Sequence, residues 1–228
     1  MLEARQAIAD LRKSPQAYSD FIGADAAVQS GPFAIVPIGS GTTASNNSPA
    51  GHPGILRLSS STNADSGNVV RSGTNHLLLQ PGDYFECIFN IVTLALTTIR
   101  VGFLDTVSVA DVTDGAYFEI AATGVVSAKT ANNGTRTTAP PLPTLALATW
   151  YRAEIEIQSA TEARFRLFNS DTGALVFPET TIATNIPTAA GRNCGAGIIA
   201  TNSGTSALAL VDLDWMGYEN RAGYGIVR

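Results

Sequence analysis

The chain has 228 residues, 45% of them hydrophobic and only 14% charged, with a formal net charge of −5 at pH 7. That is enough apolar material for one substantial core. The acidic balance, without any basic stripe, argues against a nucleic-acid surface, and no run reaches the about 18 apolar residues of a membrane span.

Residues 1–22 carry the helical periodicity. Ala4, Ala7, Ile8 and Leu11 recur at i, i+3, i+4 and i+7, which makes one apolar stripe. Ser14-Pro15 reads as the N-cap and first position of a second short helix, with Tyr18, Phe21 and Ile22 on its apolar side and Gly23 ending it. Two such helices either pack on the chain's own body or anchor it to another subunit. Ile8, Leu11, Tyr18, Phe21 and Ile22 are then the candidate assembly contacts. Met1 to Arg5 hold no apolar signal region, so synthesis and assembly in a cytoplasm are expected. Phe33 to Ile38 reads as a short strand that Pro37 keeps at an edge. Gly39 to Gly54 is dense in turn formers and reads as a linker, which makes residues 1–54 an arm.

From Ile55 onward, short strands follow at sandwich spacing up to residue 219, and residues 220–228 form a tail. Tyr84 to Ile91 alternates, with Phe85, Cys87, Phe89 and Ile91 on one face. Asn132-Asn133-Gly134 marks a tight turn. The clearest element is a hairpin. Tyr151, Ala153, Ile155 and Ile157 alternate with Arg152, Glu154, Glu156 and Gln158, and Phe165 and Leu167 alternate with Arg164 and Arg166. A loop of about three residues keeps the two dry faces matched. Glu156 then meets either Arg164 or Arg166 across the outer face. In the last strand Ala207, Ala209, Val211, Leu213 and Trp215 are expected on one face, with Asp212 and Asp214 on the other. The total is about a dozen strands in two sheets, an all-β antiparallel jelly roll.

The catalytic patterns are absent or misplaced. Glu154/Glu156 and Asp212/Asp214 are carboxylate pairs two residues apart, but arginines surround the first, and both read as solvated or salt-bridged surface. His52 and His76 lie in different settings, without metal-ligand spacing, and read as hydrogen bonders. Asp105, Asp111 and Asp114 read as turn caps rather than a calcium ladder. Gly39-Ser40-Gly41-Thr42-Thr43 lacks the lysine of a phosphate loop. Cys87 and Cys194 are either buried free thiols or a bridge. No catalytic residue, metal or cofactor is expected. Trp150 stands on the wet face of its strand, with Tyr84 and Tyr117 as further aromatics. It either closes the end of the core or packs under a neighbouring loop, or else it contacts a glycan or partner.

Tyr84 to Glu219 resembles the concanavalin A-like lectin/glucanase jelly roll, and more narrowly the versions found in phage virion proteins. The residues that carry this are Phe85-Glu86-Cys87-Ile88-Phe89 before Ile99-Arg100-Val101-Gly102-Phe103, and Gly115 to Glu119 before Val126 to Thr130. Trp150 to Ile155 before Phe165 to Phe168, and Asn185-Ile186-Pro187 before Ala209 to Trp215, complete the order. The resemblance implies a concanavalin A-like sandwich with a short helical N-terminal arm. It also implies a non-enzymatic virion subunit of decoration, spike or tail-fibre type, often a homotrimer, held to other capsid or tail proteins by that arm. The second reading is a tail-fibre module that binds a host-surface glycan; a polysaccharide-cleaving enzyme is the third. No nucleic acid or membrane partner is expected.

Overall fold

The computed structural model describes residues 16–19, 33–46, 49–73, 77–140, 143–204 and 208–221. The strands in chain order are β1 (Gln16–Ser19), β2 (Ala34–Ile38), β3 (Thr42–Asn46), β4 (Ile55–Ser59), β5 (Ser66–Arg71), β6 (Asp83–Thr93), β7 (Thr97–Leu104) and β8 (Gly115–Ile120). They continue as β9 (Val126–Asn132), β10 (Thr135–Thr138), β11 (Trp150–Ser159), β12 (Glu162–Asn169), β13 (Leu175–Ile182), β14 (Gly195–Asn202) and β15 (Leu210–Asn220). No helix occurs among the described residues.

Two antiparallel sheets result. The eight-stranded sheet runs β13-β12-β11-β6-β15-β4-β3, with β1 added beside β15. The seven-stranded sheet runs β10-β9-β8-β7-β14-β5-β2. This is the expected jelly-roll sandwich. Alternation sends Phe85, Cys87, Phe89 and Ile91 of β6 and Ile155 and Ile157 of β11 into the space between the sheets. Phe118 of β8 meets Phe165 of β12 at 5.5 Å and Phe177 of β13 at 5.2 Å, edge to face, so one ring ties both layers together. Cys87 and Cys194 are both free and buried in this core.

The hairpin β11–β12 adopts the first of its two registers, with Glu154 opposite Arg166 and Glu156 opposite Arg164. Its tip has two residues between Ser159 and Glu162, and a shift between Ile157 and Ser159 takes up Gln158. The bulged residue supplies the third position that face matching requires. Asn133-Gly134, both at positive φ, turn β9 into β10 as expected.

Three expectations about the strands need correction. Gln16–Ser19 is a strand, not the start of a helix. The reason lies in β15. β4 pairs with it only over Leu210–Leu213, and β1 takes Met216–Glu219, with Tyr18 opposite Gly217. An open run of backbone donors and acceptors outcompetes a helix too short to stand alone. This piece of the arm therefore docks on its own chain. Ile8, Leu11, Phe21 and Ile22 lie outside the described residues, as do His76 and the tail beyond Arg221. Second, the sandwich does not begin at residue 55. β2 and β3 are edge strands of the seven- and eight-stranded sheets, joined by a turn at Gly39–Gly41, so only a short part of the supposed linker is a connection. Pro37 sits on the edge, as its missing N–H demands. The third correction concerns Trp215, described below.

A smaller apolar layer covers the outside of the seven-stranded sheet. Val107 and Val112, from the loop between β7 and β8, pack with Val69, Leu104, Tyr117 and Ile199. The outer face of the eight-stranded sheet has no such apolar lid, and its chemistry is more varied.

Candidate functional site

Residues in register form rows across this outer face. One row runs Tyr84, Glu156, Arg164; the next Glu86, Glu154, Arg166; the third Ile88, Arg152, Phe168; the fourth pairs Asn90 with Trp150. β15 extends them with Glu219, Gly217, Trp215 and Asp212 in turn.

Trp215 is here because of a bulge. Leu213 opposes Phe89, and Trp215 opposes Ile88, with Asp214 taken up between them. The extra residue shifts the side-chain phase. Met216, not Trp215, then points into the core opposite Cys87 and is fully buried. The expected sharing of one face by Leu213 and Trp215 therefore fails. The spacing of three between the apolar residues Leu213 and Met216 was the sequence signal for this. The third row now reads Trp215, Ile88, Arg152, Phe168, and Leu175 of β13 pairs with Phe168 at its end. All are at least partly exposed, Leu175 by half, and the Arg152 guanidinium lies 4.6 Å from the Phe168 ring centre.

Trp150, the leading candidate from sequence, is outward but only 7% exposed. The His52 ring stacks on it at 4.0 Å. His52 Nδ1 lies 2.8 Å from Asp214 Oδ2 in the bulge, and Nε2 lies 3.0 Å from Asp171 Oδ1 in the β12–β13 turn. The loop that carries His52 turns at Gly51 and Gly54, both at positive φ. Trp150 is thus covered by a neighbouring loop, the first of the two roles open to it. Beside it, Arg57 grips Asp212 through two bonds of 2.7 and 2.8 Å, and Asn46 donates to Asp212 at 3.3 Å.

The other two aromatics do not join it. Tyr84 is 4% exposed; the Arg221 guanidinium lies 3.2 Å above its ring, and its hydroxyl donates to Glu86 at 2.9 Å. Tyr117 belongs to the opposite sheet, is fully buried, and donates to Asp111 at 3.0 Å. As a surface glycan contact Tyr117 is overturned: the β7–β8 loop closes over it.

The carboxylates divide by partner. Glu154 Oε2 accepts from Arg166 at 2.8 Å, and Arg152 is 3.3 Å from its other oxygen. Glu156 pairs with Arg164. Glu86 faces Glu154 across β6 and β11, which sequence spacing did not show. Burial pushes the Glu86 carboxyl above its ordinary range; the Tyr84 hydroxyl pulls it back and the Glu154 charge raises it again. On the other sheet, Asp105 accepts from the Thr113 N–H, Asp111 from the Val112 N–H and Asp114 from the Asn133 N–H, which is turn capping. Among the described residues no group of three or more His, Cys, Asp or Glu side chains is placed to hold a metal ion.

A family model for the SO2946-like C-terminal domain matches residues 51–214. The search of curated proteins finds no match. Among solved structures, the fold is similar to a protein of unknown function, SO2946 from Shewanella oneidensis MR-1, with TM-score 0.72 and 15% identity over 94% of this chain and 90% of that one. A Bacillus licheniformis beta-glucanase aligns with TM-score 0.56 and 14% identity over 89% and 97%. The CBM2 module of the evolved Dit of Lactobacillus casei BL23 phage J-1 aligns with TM-score 0.52 and 14% identity over 92% and 91%. At these identities the likeness is one of fold.

Proposed function

The chain belongs to the SO2946-like C-terminal domain family, and from that premise we propose that it is a non-catalytic, carbohydrate-binding module of a phage particle. The observation that carries this is the row Trp215, Ile88, Arg152, Phe168 and Leu175, an apolar and aromatic track across the outer face of the eight-stranded sheet. Sugars stack their C–H faces on such rings and direct hydroxyls to flanking polar groups. Here the flanks are Glu86, Glu154 and Arg166 on one side and Asn90 and Asp212 on the other. The phage CBM2 module, similar in fold, supports this reading, and the glucanase supports only the carbohydrate part of it.

Attachment to the particle through residues 1–15 and 20–32 remains part of the proposal. The segment Gln16–Ser19 is occupied on its own sheet, which removes part of the support for a purely structural subunit held by its arm. The test is glycan-array screening of the full chain, followed by titration of the best ligand. Wild type binds; Trp215→Ala and Phe168→Ala each weaken binding by about 30-fold, or about 2 kcal/mol. Retention of full affinity in both variants rejects the row as the site.

The pair Glu86–Glu154 gives a second reading its one foothold. A carboxyl with raised pKa beside an ion-paired one is the arrangement of a glycosidase acid and its partner. Release of reducing ends from a polysaccharide, abolished by Glu86→Gln, would establish that reading in place of the first.

A further inference from the structure

Arginines in this protein come with carboxylates. Arg57 lies 2.7 Å from Asp212 and Arg192 lies 3.5 Å from Asp114, and every other arginine among the described residues has such a partner except Arg71. Arg71 ends β5 on the outer face of the seven-stranded sheet, between Ala34 of β2 and Gly197 of β14. Val69, two residues before it, packs in the outer apolar layer, while Val70 faces the core. Its Nε and Nη1 are buried and have no acceptor among the described residues. Desolvation alone acts on it and pulls the guanidinium below its usual range, with no neighbouring charge to offset the loss. Gly197 is part of the arrangement: a Cβ there would stand 2.7 Å from that of Arg71.

A partly buried cation with unmet donors is a strained way to fill space, because aliphatic side chains would do so without loss. A guanidinium is, however, a planar fork with two edges, Nε with Nη2 and Nη1 with Nη2, and an oxyanion on either edge accepts two parallel bonds, one of them from an unmet donor. We propose that Arg71 is a binding site for an oxyanion, the carboxylate of an acidic sugar or a phosphate. It lies on the sheet opposite the aromatic row, so it stands or falls independently of the carbohydrate-binding reading.

The experiment titrates the full chain with trigalacturonate and, separately, with inorganic phosphate, each against sodium chloride at equal ionic strength, and follows heat and melting temperature. Wild type binds at least one of them saturably, and which one separates sugar carboxylate from phosphate. Arg71→Met weakens that binding at least tenfold; Arg71→Lys, a point charge without the fork, falls between. The chloride arm reports folding, and there Arg71→Met melts at or above wild type. Absence of saturable binding to both anions, or equal binding by wild type and Arg71→Met, overturns the proposal. If Arg71→Met does not fold, wild type and Arg71→Lys decide, with equal binding again the overturning result.

Discussion

Trp150 and Trp215 show how much one residue's setting decides. Both lie on the outer face of the same sheet, but Trp150 lies under His52 while Trp215 belongs to the partly exposed row. Trp150→Ala should cost about 3–5 kcal/mol of stability in urea unfolding, because it empties a packed site. Trp215→Ala should cost less than half of that and act chiefly on ligand affinity. Equal destabilisation by the two would contradict the assignment. Glu86 adds a pH dependence. Its carboxyl is raised above the ordinary 4.5 by burial, so its neutral form is the one the fold favours. That contribution is full below the unfolded value and is lost as pH rises through the folded one. Glu86→Gln, which still accepts from Tyr84, should therefore melt above wild type at pH 8, with the gap closing below about pH 4. A gap that widens on acidification would reverse the sign and exclude the burial argument.

Among the elements, β1 is the piece with a separable role. It completes the edge of β15 that β4 leaves open. Removing residues 1–19 should leave the sandwich folded, lower its stability by about 1–2 kcal/mol and promote self-association through the exposed edge, read by light scattering. A truncated chain that is fully stable and monomeric would show that the pairing is incidental. Elements with unbroken alternation, such as β6 and the β11–β12 hairpin, were legible in the sequence because one face is dry and one wet. β1 was not: four residues carry no period that separates strand from helix, and its partner is about two hundred residues away. The same limit hid the site. Trp150 was legible as outward, but the loop covering it comes from residue 52, and the bulge that exposes Trp215 breaks the very alternation used to assign faces. Arg152 was placed on the outer face by period, and the same alternation extended along β12 reaches Phe168, but nothing local joined either to Trp215. Register across three strands did that.

At the scale of the whole molecule, two layers meet over one core, and nine of the fifteen described strands pair with at least one strand that is not their neighbour in the chain. Such a topology orders slowly and then opens reluctantly. The buried thiols give a way to watch it. Cys87 is in β6 of the eight-stranded sheet, and Cys194 bridges to Leu77 at the entry to β14 of the seven-stranded one. Burial pushes both well above the ordinary thiol range, so neither is a nucleophile while its layer is closed. Pulsed alkylation with mass readout then works as a two-channel clock, one sulfur for each wall of the sandwich. Identical labelling rates would mean that the walls part in a single event. Earlier labelling of one sulfur would show which wall loosens first, and would tell an engineer where a stabilising change does the most good.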